Sequence, residues 1–216
     1  PKSGRFIKNG AKILKSKPIV IQEKLKLQFK AFIKVHYKFG YCEYKARIRQ
    51  SGDAKDHIKF RENEILRSLD VKLNEGNILN AVRFKLLLPE TRKGKNEILA
   101  SLIFKKIGII SPETFEVQTS INGTKSIMLF QESARKELLE KRFRREGPIF
   151  EGEERLIWLY NNYDLFELSK LSLSRVDNPN WLKKGLTSQK ITLEAFAKLQ
   201  ETYLKFVANL NIHGFI

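Results

Sequence analysis

The sequence predicts an α+β fold in which a strand-rich first part is followed by a helical second part. Apolar and polar residues alternate with period two in several segments between residues 25 and 130. The pair Asn122-Gly123 predicts a tight hairpin between two such segments. Apolar residues return at helical spacing from Thr192 to Leu210. Because strands and helices are segregated along the chain, two lobes are expected.

Composition bounds the class of protein. The chain has 216 residues, 42% of them hydrophobic, which is enough for one sizeable domain. We find no apolar run of about 18 residues, so no membrane-spanning helix is expected. The single cysteine, Cys42, cannot form an intrachain disulfide, and with only three histidines it argues against a zinc site. This cysteine usage fits a bacterial cytoplasm and a cell envelope equally.

The positive charge is concentrated at the start of the chain. Residues 1–60 hold 16 Lys or Arg and 4 Asp or Glu, so they carry +12 of the net charge of +17. Such a surface attracts polyanions, which include nucleic acid, anionic lipid and acidic substrates. A solvated lysine-rich surface is the alternative interpretation.

The elements of the strand-rich part follow in order. Residues 1–18 are basic and weakly patterned, which indicates a loose or partly helical lead-in. Alternation from Leu25 to Phe39 predicts a strand, with a helix as the competing interpretation for its first half. Further strands are predicted at Tyr44–Arg49, Leu69–Leu73, Phe84–Leu88, Phe115–Ser120 and Ser126–Phe130.

A helix is predicted at about residues 95–107. Apolar residues recur there at Ile98, Leu102 and Ile107 and form one stripe with Leu99 and Ile103. Asn96 is a candidate cap at its start, and Gly108 lies where a helix-ending glycine is expected. Further helices are expected at about 154–160 and 192–210.

Candidate site residues lie on or beside the predicted strands. Arg67, Lys72 and Lys85 are cations on or beside strands, and such groups can bind the phosphates of a nucleotide. Glu97 in the first turn of the helix is the natural ion-pair partner for one of them. Arg49 lies in a strand–turn segment, Ala46–Phe60, that could place cations and backbone N–H groups against phosphate. For any one of these residues, a solvent-facing side chain is the commoner explanation.

Standard catalytic motifs are not found. The sequence holds no GxGxxG or GxxxxGK[ST] phosphate loop, no HExxH metal motif, and no Ser-His-Asp order. Asp56 and His57 are adjacent, but neighbours on a strand point to opposite faces, so an acid–base pair is not expected.

Five segments are informative together: IRQSGDAKDHI, SLDVKL, RFKLLLPETR with NEILASLIFKKIGI, VQTSINGTKSIMLFQE, and KELLEKRFRREGPIFEGEE. Taken together, they resemble the CotH-like (spore coat protein H) family of atypical protein kinases. They occur in the family's order and span about residues 44–158.

The resemblance implies a protein-kinase-like fold with a strand-rich N-lobe that contains one helix, followed by a helical segment of a truncated C-lobe. Residues 1–20 would be a basic lead-in, 21–132 a nucleotide-binding lobe, and 133–216 the hinge and the start of the helical lobe. The implied activity is transfer of the ATP γ-phosphoryl group to protein Ser or Thr. The implied cofactors are ATP and Mg²⁺ or Mn²⁺, and the implied partners are the nucleotide and a protein substrate.

The resemblance also suggests roles for individual residues. Arg67 or Lys72 would lie on the phosphate-binding strand, Glu97 would be the helix partner, and Glu132 would close the strand at the hinge. With Arg49 and Lys85 these residues form the expected nucleotide-binding set. The sequence departs from the family where Leu66-Arg67 replaces a frequent Lys pair and where residues 49–53 replace a tighter turn.

Catalytic and metal-holding residues are expected beyond Ile216, so the chain as given is expected to be inactive. A pseudokinase is one alternative. The other is a non-enzymatic module that binds nucleic acid or an anionic polymer through residues 1–60.

Overall fold

A computed structural model describes residues 3–17, 20–61, 64–152 and 174–213 of the chain. The fold is α+β, as the sequence predicts. The chain divides into two compact units, Pro1–Ser133 and Ala134–Ile216. Each unit is described by itself below.

The first unit is built on a six-stranded antiparallel sheet that curls into a half-barrel. The strands lie in the order β1-β2-β5-β6-β8-β7. Their bounds are β1 Phe29–Tyr37, β2 Gly40–Gln50, β5 Leu69–Leu73, β6 Arg83–Leu87, β7 Thr114–Ile121 and β8 Thr124–Glu132. A separate hairpin pairs β3 (Ile58–Arg61) with β4 (Glu64–Arg67). The competing helix for the first half of the Leu25–Phe39 segment is wrong except for one 3-10 turn at Glu23–Leu25.

The hairpin predicted at Asn122-Gly123 joins β7 to β8. Both residues have positive φ, 53° for Asn122 and 100° for Gly123, as a two-residue type I′ turn requires. The turn fixes the register, in which Ile121 pairs with Thr124 and Phe115 with Phe130.

Helix α1 (Ser3–Lys15) occupies the segment expected to be a loose or partly helical lead-in. Its buried residues are Phe6, Asn9, Gly10 and Ile13, at the spacing that places them on one helical face. An added Cβ at Gly10 would lie 3.0 Å from Ile65, so the glycine allows close packing against β4. Lysines occupy the exposed side of α1.

Helix α2 (Asn96–Lys106) lies between β6 and β7 in the chain, where the apolar stripe predicts a helix. The expected cap is wrong, because Asn96 is already helical and Lys95 holds the cap position without a side-chain hydrogen bond. Gly108 ends the helix region with φ +82°, as expected. The stripe itself is exposed in the structure: Leu102 is 56% and Ile107 63% exposed.

One face of the sheet carries the main apolar core, and we call it the core face, defined by Ala46, Val71, Phe84 and Phe130. These residues are buried together with Phe6 of α1. The rings of Phe84 and Phe130 stack with centroids 4.7 Å apart. A second cluster joins the later part of α1 to the β3–β4 hairpin through Ile13, Ile21, Leu25, Ile58 and Ile65. Helix α1 is therefore held against the sheet by one apolar cluster and against the β3–β4 hairpin by the other.

The second unit contains α3 (Lys136–Glu140), a small sheet of β9 (Phe150–Gly152) and β10 (Ser174–Val176), and the long helix α4 (Leu186–His213). Asn178 anchors the segment before β9, since its side chain accepts from the Ile149 N–H and donates to the Gly147 carbonyl, both at 2.8 Å. The helix predicted at 192–210 is confirmed within α4. The one expected at 154–160 lies outside the described residues.

Candidate functional site

The face of the sheet opposite the core face is rich in cations, and we call it the cationic face, defined by Arg47, Arg49, Lys72, Arg83 and Lys85. Successive strand residues point to opposite faces, so the strand register assigns these side chains. Arg47 pairs with Lys72, and Lys72 pairs with Arg83. In the next row Arg49 and Lys85 flank one acid, Asp70, on adjacent strands.

Asp70 organises two of these cations. Its carboxylate accepts from Arg83 Nε at 2.8 Å and from Arg83 Nη2, and Arg49 Nε lies 3.3 Å from it. Arg49 also donates to Glu23 at 3.0 Å. Burial would raise the pKa of Asp70, but the hydrogen bonds and charge of Arg83, with the charges of Arg49 and Lys85, lower it below its ordinary value. Asp70 is therefore ionised at neutral pH, hydrogen-bonded to the Arg83 guanidinium group and ion-paired with that of Arg49.

The two lysines of the cationic face, Lys72 and Lys85, do not form ion pairs with carboxylates of the described residues. Lys85 is half-buried and Lys72 is exposed. Among the described residues, no carboxylate lies within 4.0 Å of either ammonium group. Both ammonium groups are thus available to an anion that approaches this face.

Glu97 is brought to the same face by Gln131. Glu97 lies in the first turn of α2, and its Oε1 accepts a hydrogen bond from Gln131 Nε2 at 2.9 Å. Gln131 pairs across the sheet with Lys85, so its side chain shares the cationic face. Gln131 thus connects the helix carboxylate to the strand position beside Lys85, while the expected ion pair between Glu97 and Lys85 is not formed.

Arg67 lies elsewhere. It is 1% exposed and its guanidinium carbon lies 3.5 Å from the centroid of the Phe6 ring. Its Nη1 donates to the Asn9 side chain at 3.0 Å. Burial lowers the pKa of Arg67 to about 10. Since both Phe6 and Asn9 belong to α1, Arg67 contacts this helix on the side of the core face, and Glu97 has no part in its environment.

Glu132 also lies on the side of the core face, because it pairs with Phe84 across β6 and β8. It is 2% exposed, and its carboxylate accepts from the Glu113 N–H at 3.2 Å. Glu132 is the last residue of β8, the final strand of the first unit. Its assignment to a hinge stays a prediction.

Asp56 and His57 do not form a pair. Asp56 is exposed and His57 is buried, with its Nδ1 2.9 Å from Ser68 Oγ. Ser68 Oγ also accepts from the Leu88 N–H at 3.0 Å, so one hydroxyl contacts both the His57 ring and the backbone that follows β6. Burial is the main cause that lowers the pKa of His57. This group of residues links β4, β6 and the turn at Gly52.

Asp70, Arg83 and Gln131 are the residues of the site that sequence reasoning missed. Their signal is the alternation of LDVKL and RFKLL, which places Asp70 with Lys72 and Arg83 with Lys85 on one face of each strand. Whether these side chains lie on the same face of the sheet depends on the register between strands, which a local sequence pattern does not specify.

A metal site is not formed by the described parts of the chain. Within them, no group of three or more His, Cys, Asp or Glu side chains could hold a metal ion. The ligands of the expected Mg²⁺ or Mn²⁺ are thus not assigned. In the same residues, no helix is long and apolar enough to cross a membrane.

Comparison with known proteins identifies no relative: no family model matches the chain, and no curated protein matches it in sequence.

Proposed function

We propose that the first unit is the ATP-binding lobe of a CotH-like atypical protein kinase, whose reaction transfers the γ-phosphoryl group of ATP to protein Ser or Thr. One observation carries the proposal. The strand that leads into α2 presents Lys85 on the cationic face, and the first turn of α2 presents Glu97 to the same face through Gln131.

The order of elements supports this assignment. Protein kinases use a lysine on the strand before a helix and a glutamate on that helix as an ion pair that binds the nucleotide phosphates. Here β6 runs into α2, and the β7–β8 hairpin then returns so that β8 pairs with β6. In the chain, the helix thereby lies between β6 and the β7–β8 hairpin that pairs with it. Of the candidate cations Lys85, Lys72 and Arg67, Lys85 is the one on the strand that enters the helix, where Arg83 is engaged by Asp70.

The charges of the cationic face fit a polyphosphate. Arg49 and Arg83 are held in position by Asp70, and guanidinium groups bind phosphate oxygens in a fixed geometry. Lys72 and Lys85 add ammonium groups without ion-pair partners among the described residues. ATP bound here would supply the phosphoryl group, while these side chains bind and orient its phosphates.

Thermal unfolding in the presence of Mg-ATP tests the proposal. A ligand that binds only the folded state at 100 times its Kd stabilises it by about 2.7 kcal/mol. We expect such a shift for the wild type and a much smaller one for Lys85→Met. Lys8→Met is the matched control, because it removes the same charge from the exposed side of α1.

The outcomes separate the possibilities. No stabilisation of the wild type by Mg-ATP would refute nucleotide binding. Full stabilisation of Lys85→Met would show that Lys85 is not the phosphate lysine, and Lys72→Met would then be measured. A pseudokinase and an active kinase give the same binding result, and phosphorylation of a protein substrate by the parent protein separates these two.

A further inference from the structure

The cationic face continues beyond the candidate nucleotide site onto the β1–β2 hairpin. We call this outer part the hairpin platform, defined by Lys30, Phe32, Lys34, Tyr41, Lys45 and Arg47. Lys30 pairs with Arg47, and Phe32 pairs with Lys45 on the adjacent strand. The register thus places aromatic and cationic side chains on one face of a two-stranded ribbon.

The aromatic residues of the platform are exposed. Phe32 is 73% and Tyr41 57% exposed. The opposite side of the same strand is used by the fold, because Ile33 and Val35 pack against the main apolar core. The apolar side of the hairpin therefore packs on the core, and the side chains of Phe32 and Tyr41 on its other side take no part in that packing. Two exposed aromatic side chains on one face of the ribbon, with the Lys34–Glu43 pair between them, indicate an interaction surface.

The charge of the platform is positive. Its four cations face one acid, Glu43, whose carboxylate is 3.9 Å from Lys34 Nζ. The Lys34 ammonium also lies 3.5 Å from the centroid of the Tyr41 ring. Both contacts are made at the surface and are of the weak, salt-screened kind. A polyanion can replace them without opening the fold.

We propose that the hairpin platform binds single-stranded nucleic acid, with bases stacked on Phe32 and Tyr41 and phosphates placed against the surrounding cations. Aromatic side chains on an open sheet face, interleaved with cations, are the features by which proteins bind unpaired bases and the adjoining backbone. A duplex hides the faces of its bases, so it can use the cations but not the rings. An acidic peptide or inorganic polyphosphate likewise has no nucleobase that could stack on these rings.

Fluorescence anisotropy with a labelled pyrimidine oligonucleotide of about 12 nucleotides measures this binding, a length chosen from the site sizes of single-strand binding surfaces. If all four platform cations contact phosphates, log K falls with log salt at a slope of about −2.8. Raising the salt from about 50 to about 200 mM would then weaken binding by about 50-fold. A duplex of the same sequence is expected to bind more weakly.

Matched variants separate stacking from charge. Phe32→Ala is expected to weaken binding of the single strand about fivefold or more. Phe39→Ala is the control, since Phe39 is 84% exposed but stacks on Tyr37, whose position on β1 is on the core-face side. The pair Lys30→Ala and Lys34→Ala should halve the salt slope to about −1.4. Lys8→Ala with Lys12→Ala on α1 removes equal charge and should leave the slope unchanged.

Some results would overturn the proposal. Equal binding of single strand, duplex and inorganic polyphosphate, unchanged in Phe32→Ala, would assign the face to polyanions in general. If the Lys8→Ala, Lys12→Ala variant lost as much affinity as the Lys30→Ala, Lys34→Ala variant, binding would depend on the net charge of the protein and not on the hairpin platform. Because Phe32 lies outside the candidate nucleotide site, the Mg-ATP response of Phe32→Ala should equal that of the wild type, so this test is independent of the kinase assignment.

Discussion

Replacing Asp70 by Asn tests whether this carboxylate organises the cationic face. The substitution keeps the shape of the side chain but leaves Arg49 and Arg83 without their common partner. Breaking a fully buried ion pair costs about 3–5 kcal/mol. Asp70 is 8% exposed, but the Arg83 and Arg49 side chains are 31% and 37% exposed, so solvent screens part of that loss. We expect Asp70→Asn to lower the free energy of unfolding by about 2 kcal/mol.

Urea denaturation at pH 7 measures the change, and thermal unfolding should show a fall in Tm of about 4–8 °C. The pKa of Asp70 is lowered in the folded state, so the unfolded chain binds a proton at higher pH than the folded chain. The stability that Asp70 contributes is therefore complete above its unfolded pKa of about 3.9 and is lost as the pH falls through the lower folded value. The difference between wild type and variant should shrink in that range.

Glu116→Gln is the control for this prediction. Glu116 is 39% exposed and its partner Lys95 is 3.7 Å away at the surface, so the expected change is below about 0.5 kcal/mol. A change in Asp70→Asn no larger than in Glu116→Gln would refute the reasoning. The reasoning would also be refuted if the free energy of unfolding of Asp70→Asn stayed equally far below that of the wild type down to pH 2. The charge of Asp70 would then not cause the difference.

Three further predictions concern the turn, the buried histidine and the helix contact. Gly52→Ala should destabilise the fold by about 2–4 kcal/mol, because a Cβ would lie 2.0 Å from the His57 ring and φ is +83°. Because the pKa of His57 is lowered, wild-type stability should decline as pH falls below about 6.5, and His57→Asn should flatten that decline. Gln131→Leu, which releases Glu97, should reduce stabilisation by Mg-ATP without abolishing folding.

Each of these has a comparison that can contradict it. Gly123→Ala has φ +100° but no atom within 4 Å of the added Cβ, so it should cost only about 1 kcal/mol, and an equal cost at Gly52 would exclude a steric cause. A pH profile of His57→Asn identical to the wild type would assign the decline to other groups. If Mg-ATP stabilised Gln131→Leu as much as the wild type, Gln131 would have no role in nucleotide binding.

Local sequence signals predicted elements whose conformation is decided locally. The Asn122-Gly123 pair specifies a type I′ turn because both residues tolerate positive φ, and β7 and β8 follow from it. The strand Leu69–Leu73 was predicted with its observed bounds, because alternation with period two is a local pattern. Asn96 was assigned a capping role that Lys95 holds, since helix ends are uncertain by a residue or two from sequence.

The sequence by itself determined the α+β class, most strands of the sheet, helix α2 and the excess of positive charge in residues 1–60, because these depend on spacing and composition. Only the tertiary structure decided which cations act together. The pairing of Arg49 with Asp70 and of Asp70 with Lys85 depends on the register of three strands, and a slip of one residue would move each side chain to the other face. Tertiary packing also decided the surroundings of Arg67, because the β3–β4 hairpin buries its side chain against Phe6 of α1, a contact between segments far apart in the chain that no local pattern encodes.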